Sequence, residues 1–188
     1  MGLARLDSER IRAHNGSGGT YIILNTHVVD NYRHGVYDDS TDGKWEVTSC
    51  TIKGNGDWGL RLQVSKYQKL SNNVVSENGN GIYAGDIYDW GGTRYRKVSG
   101  NKVEKNKNEG FIASYIGNNS AFDFTDNVIV DNGGQGFACW SWIYGSLTFK
   151  DNVIKGNGSN GVWFDANGGE ILFDGNQVEE NGEHGVYF

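Results

Sequence analysis

Short apolar runs alternate with polar residues along this chain, and asparagine and glycine break the runs at regular intervals. The stretch Phe122–Asp165 holds the unit twice, as FDFTDNVIVDNGGQGFACW and then LTFKDNVIKGNGSNGVWFD. The unit reads apolar-x-x-Asn-x-(Val/Ile)-x-x-Asn-x-x-x-Gly-apolar and recurs at Gly35, Gly59, Gly81, Gly110, Gly136, Gly161 and Gly185. An apolar residue stands seven positions before each glycine except Gly81, where one residue is missing. Three sets of apolar slots follow. The first is Ile23, Val47, Leu70, Val98, Phe124, Phe149 and Phe173. The second is Val28, Ile52, Val75, Val103, Ile129, Ile154 and Val178, and the third is Val36, Leu60, Ile82, Phe111, Phe137, Val162 and Val186. Two asparagine slots accompany them: Asn73, Asn101, Asn127, Asn152 and Asn176 at one corner, with Thr26 and Cys50 as departures, and Asn31, Asn55, Asn78, Asn106, Asn132, Asn157 and Asn181 at the other.

Three short strands repeating every 22 to 29 residues predict a β-solenoid. One coil cannot bury its apolar side chains alone. Coils stacked about 4.8 Å apart form interior columns and pair every backbone N–H and C=O with a neighbouring coil. An inward Asn can bond the same Asn one coil away, and it tolerates the left-handed backbone of a tight corner.

The units SNNVVSENGNGIY and DGNQVEENGEHGVYF resemble the repeat of right-handed parallel β-helices: pectate-lyase-like proteins, alginate epimerases, phage tailspikes and periplasmic NosD-type proteins. The resemblance spans roughly residues 21–188. It implies an all-β, single-stranded parallel β-helix of about seven coils with three strands each. It says little about activity, because the shared residues are interior and corner residues. Residues 1–20 fall outside the repeat and are expected to be an N-terminal cap or an extraneous leader, with a short capping helix over LDSERIRAH.

Composition narrows the function. Twenty-nine glycines and no proline suit tight corners and unbroken hydrogen-bond ladders, and a net charge of −6 argues against nucleic-acid binding. No apolar run is long enough for a membrane span or a signal-peptide core. Cys50 and Cys139 lie three coils apart, about 14 Å, too far for a disulfide, and are expected as buried thiols.

Outward positions of the first two strands read as solvated faces. The third strand places Tyr37, Arg61, Tyr83, Ile112, Ala138, Trp163 and Tyr187 in one outward column, followed two residues on by Asp39, Gln63, Gly85, Ser114, Trp140 and Asp165. The corners after this strand carry the insertions. The longest holds Asp86, Tyr88, Asp89, Trp90, Arg94 and Tyr95, and its neighbours hold Tyr115, Trp142 and Tyr144. Insertions confined to one corner mark a working side. The expected glycan-binding set is Tyr37, Asp39, Asp89, Trp90, Arg94, Tyr115, Trp140, Trp142, Trp163 and Asp165. Aromatic rings there would stack on sugar faces while polar groups meet hydroxyls.

For catalysis, Asp39 and Asp165 are five coils apart, about 24 Å, too far for a glycosidase pair. Asp38 or Asp39 with Asp86, and Asp86 with Asp89, are the remaining carboxylate pairs. The resemblance suggests a lyase or C5-epimerase, which needs a cation and a base, and Arg61 with Tyr83 and Asp86 is the best candidate set. No metal site or cofactor is indicated, although calcium fits the fold class. His34 and His184 fill equivalent slots six coils apart, and His14 and His27 have no evident partner.

The expected function is therefore a secreted, periplasmic or surface polysaccharide-binding solenoid. The alternatives are a lyase or epimerase on the same face, or a structural spacer of a larger surface or fibre protein. The last coil would expose Ile171, Phe173, Val178, Val186 and Phe188, so end-to-end pairing or continuation into a longer solenoid is also expected.

Overall fold

The computed structural model describes residues 11–13, 19–38, 43–63, 65–85 and 94–188. Every repeat contributes one strand to each of three parallel sheets. The first sheet has seven strands, from Thr20–Leu24 to Glu170–Asp174, and the second has seven, from His27–Val29 to Gln177–Glu179. The third has eight, from Ile11–Ala13 to Val186–Tyr187. No helix occurs among the described residues. The expected capping helix is corrected where it can be seen: Ile11–Ala13 is a strand paired with Val36–Asp38. A strand there satisfies the backbone groups of the first third-sheet edge, which a helix packed across it would leave unpaired.

The register follows the repeat. Ile23 pairs with Val47, Val28 with Ile52 and Val36 with Leu60, and each column continues rung by rung to the last coil. These side chains are buried along most of the rod. The later coils are filled by phenylalanines whose rings stack between rungs, Phe124 on Phe149 at 4.9 Å and Phe149 on Phe173 at 5.2 Å. In the last coil Ile171, Phe173, Val178 and Val186 are only half-buried and Phe188 is 69% exposed.

Both asparagine ladders form. At the first corner Nδ2 of Asn73 donates to Oδ1 of Asn101 (2.9 Å), Asn101 to Asn127 (3.0 Å), Asn127 to Asn152 (3.1 Å) and Asn152 to Asn176 (2.9 Å). The second runs unbroken from Asn31 to Asn181. From Asn55 onward each Oδ1 also accepts the backbone N–H of the preceding ladder position, as Asn152 does from Asn127 (2.9 Å). From Asn55 onward each Nδ2 gives a proton to a carbonyl of the coil before, as Asn127 does to Val98 O (3.0 Å). Cys50 lacks the amide, yet its backbone N–H still meets Asn73 Oδ1 (2.9 Å).

The left-handed backbone sits one residue earlier than expected. At all fourteen corners the positive-φ residue is the one before the ladder position, as in Asn72, Asp126 and Gly100, and not the ladder Asn itself. The ladder side chain can then point inward while its predecessor makes the turn. The glycine that opens each third strand answers a different demand. A Cβ on Gly136 would lie 2.6 Å from Gly161 O and 2.8 Å from Asn157 Nδ2.

One interior column departs from apolar filling. Tyr21, Trp45, Gln68, Arg96, Phe122, Leu147 and Ile171 lie in register on the inner side of the first sheet. Trp45 Nε1 donates to Oδ2 of the fully buried Asp38 (2.7 Å). Arg96, 1% exposed, donates Nη2 to Gly85 O and lies 5.0 Å from the Phe122 ring centre. The Gln68 amide is buried with no partner among the described residues.

Two substitutions test the ladder and the close approach. Asn127→Ala removes one acceptor and two donors from a buried row, so it should cost about 3 kcal/mol in urea unfolding. Gly136→Ala should cost at least about 2 kcal/mol because a backbone carbonyl and an amide must both move. Wild-type midpoints for both variants would contradict this account of the corners.

Candidate functional site

The third sheet places its outward column in the expected register, Tyr37 beside Arg61, Arg61 beside Tyr83, and so on to Tyr187. It does not form one continuous aromatic surface. Ile112 and Ala138, outward by register, are fully buried. They divide the column into a group around Arg61 and a group around Trp163.

In the first group the Arg61 guanidinium carbon lies 5.6 Å from the Tyr37 ring centre and 5.8 Å from that of Tyr83. His34 stacks on Tyr37 at 4.9 Å, and Trp58 meets Tyr83 edge-on at 5.5 Å. The cation is thus held between two rings, and no carboxylate among the described residues pairs with it. Such an arrangement presents N–H donors to an anionic or hydroxyl-rich group. Asp38 is excluded from this face, because its carboxylate is buried and bonded to Trp45. Asp39, Asp86, Asp89 and Trp90 lie outside the described residues. Arg94 starts a first-sheet strand in register with Ser120.

The second group gathers at the open corner between the third sheet and the next first-sheet strand. Strand Phe137–Ile143 carries one residue more between Cys139 and Trp142 than its neighbour does between Phe164 and Ala166. A bulge of this kind bends the strand and re-aims its side chains. Trp140 and Trp142 emerge 47% and 50% exposed, and Tyr144 40%. Trp142 and Tyr144 are parallel, with centroids 5.6 Å apart and planes 7° apart, and Tyr115 meets Tyr144 edge-on at 5.9 Å. The backbone beneath is tied: Ile116 N–H donates to Trp142 O (3.1 Å) and Tyr144 N–H to Ile116 O (2.8 Å). Trp163 is half-buried, packed against Tyr187 at 5.6 Å, and Asp165 beside it is exposed. The structure therefore brings Tyr115, Trp140 and Trp142 to one corner, with Trp163 and Asp165 on the adjoining strand. Tyr37, Arg61 and Tyr83 form a separate group.

The sequence reading missed a pair on the first sheet. Tyr67 and Tyr95 stack outward at 6.1 Å, and Tyr95 Oη donates to Asp123. That bond holds the phenol in its protonated form and pushes its pKa up to about 12. Tyrosines recurring at one outward slot, in strands otherwise rich in Ser, Thr and Lys, were the available signal.

Among the described residues no group of three or more His, Cys, Asp or Glu is placed to hold a metal ion, and no helix is long and apolar enough to cross a membrane. Glu109 is pushed up by burial, partly offset by the Gln135 N–H it accepts. It belongs to the tight corner just before strand Phe111–Ala113. Cys50 and Cys139 are free and buried.

A family model for the right handed beta helix region matches residues 11–178. The chain belongs to the right-handed β-helix family. Neither the curated proteins nor the solved structures contain a match to it. The β-helix fold is consistent with a carbohydrate-binding or related solenoid.

Burial raises the Cys139 thiol to about 11, with the Ser141 backbone and Arg96 opposing and Asp165 reinforcing the shift. A pKa raised on folding stabilises the folded state fully below the unfolded value, and that contribution is lost as pH climbs through the folded value. Between about pH 9 and 11 the wild type should therefore lose about 2 kcal/mol more than Cys139→Ala, read from urea midpoints. Parallel pH profiles for the two proteins would refute the assignment.

Proposed function

We propose that this β-helix binds a polysaccharide or surface glycan, outside the cytoplasm, through the aromatic surface at its open corner. The observation that carries the reading is the exposed group of Trp140, Trp142, Tyr144 and Tyr115 on a corner whose backbone is already hydrogen-bonded. Pyranose faces are apolar and flat, and rings fixed before binding lose little conformational entropy when a sugar stacks on them. Trp163 and Asp165 on the adjoining strand extend the surface and supply a carboxylate for hydroxyl groups.

A second reading rests on Arg61. A guanidinium held between Tyr37 and Tyr83 would neutralise the carboxylate of a uronic acid, and Tyr83 in the next rung would serve as base in a β-elimination or C5-epimerisation. Ring stacking accounts for the same geometry without chemistry, so binding is the primary reading.

Glycan-array or calorimetric binding of the wild type and Trp142→Ala tests the first reading, with a loss of about tenfold expected on removing one stacking ring. Equal binding by the two proteins, or none by the wild type across neutral and acidic polysaccharides, would sink it. The catalytic reading requires a new ultraviolet-absorbing double bond or an altered uronate composition after incubation with polyuronates, lost in Tyr83→Phe. Unchanged polymer throughout would remove it.

A further inference from the structure

We propose that the first sheet carries a second sugar-binding position, built on Tyr95 with Asp123 and Lys97, so that a glycan held at the open corner continues around it onto this neighbouring face. The inference rests on the glycan-binding reading above and adds to it a second face and a direction for the bound chain.

Outward residues on the first sheet run Lys44, Tyr67, Tyr95, Ala121 and Ser146 in one register column. Tyr67 covers one face of the Tyr95 ring at 6.1 Å and an interplanar angle of 26°. On the other side the column shrinks to alanine and serine, so the stack of rings stops and no ring of the described residues lies against that face. A flat, apolar face above two small side chains is a place where a pyranose can take up the stack.

The polar groups beside it are arranged for hydroxyls. Asp123 accepts the Tyr95 hydroxyl on Oδ2, which fixes the ring, and its Oδ1 takes no hydrogen bond among the described residues. Lys97 is next to Asp123 in register and exposed, with no carboxylate within ion-pair distance among the described residues. Its neighbour Lys69, by contrast, is engaged by Glu46 at 2.6 Å. A carboxylate oxygen and an ammonium on neighbouring rungs, neither engaged by a described residue and the two beyond ion-pair distance of each other, offer an acceptor and a donor to the hydroxyls of one sugar ring. Ser146 stands two residues after Tyr144, and Tyr144 touches Tyr115. The small shelf thus adjoins the corner rings, and one chain can contact both.

Size-graded oligosaccharides of cellulose, mannan, xylan and polyuronate, from disaccharides upward, would be titrated calorimetrically into the wild type, Trp142→Ala, Tyr95→Ala and Lys97→Gln. Short oligomers should bind the wild type, Tyr95→Ala and Lys97→Gln equally and Trp142→Ala poorly. Longer oligomers should bind the wild type more tightly than short ones, and that gain should vanish in Tyr95→Ala and shrink several-fold in Lys97→Gln. Lys97→Gln alters one exposed side chain and should keep the wild-type urea midpoint, so its effect does not depend on folding. Long oligomers that bind both first-sheet variants as they bind the wild type overturn this inference while leaving the Trp142 reading intact. A wild type that binds no oligomer of any length overturns both.

Discussion

Every coil of this protein depends on the next one to satisfy its backbone. Strands of two to seven residues cannot bury a core or close a hydrogen-bond network alone, so pairing between coils is the condition on which all else rests. The asparagine ladders carry the same condition into the corners, where strands end and carbonyls would otherwise be orphaned. A ladder Asn uses both amide protons and both carbonyl lone pairs in the coil direction. Aspartate lacks the protons and glutamine has the wrong length, which is why this one residue type recurs at interior corner positions.

The same stacking determines what the outside can do. Register pairing brings outward residues of successive coils into fixed columns, so rings on neighbouring rungs meet without any further device, Trp163 with Tyr187 at 5.6 Å and Tyr67 with Tyr95 at 6.1 Å. Tight corners leave no room for variation, and variation collects at the one corner that has no ladder. There the bulge before Trp142 and the bonded pair of corner segments give a platform for large side chains. Arg61 and its two tyrosines use the regularly paired part of the same sheet, toward the opposite end of the column from Trp163.

The repeat itself was fully legible. All three apolar columns, both ladders and the outward column fall in the register the sequence implies, because the spacing of slots within the unit stays nearly constant while the repeat length varies. Alternation predicts which way a side chain points but not what covers it, so the burial of Ile112 and Ala138 could not be read. Arg96 and Gln68 escaped notice because charged and amide residues in a first strand look like surface residues. Only the register places them inside, with Arg96 anchored to Gly85. Ile11–Ala13 looked like part of a helix because three residues carry too little pattern to reveal a strand that depends on Val36–Asp38 for its pairing. The ladder Asn was credited with the corner's left-handed turn, although the residue before it, such as Asp126 or Ser49, takes that conformation.

The turn residues also give the coils a fixed order. At Gly54, Gly100, Gly156 and Gly175 the space a Cβ would fill lies 2.1 to 2.7 Å from a side-chain oxygen of the coil before, belonging to Asp30, Asn72, Asp131 and Asp151 respectively. At these four corners a turn side chain in one coil is answered by glycine in the next, whereas at others, such as Glu77 and Lys105 or Asp126 and Asp151, side chains follow one another. Coils that look alike in their interiors are therefore not interchangeable parts. Shuffling that puts a side-chain residue at one of these four glycine positions would set its Cβ against the oxygen of the coil before, whereas moving coils as matched neighbours would keep the fit.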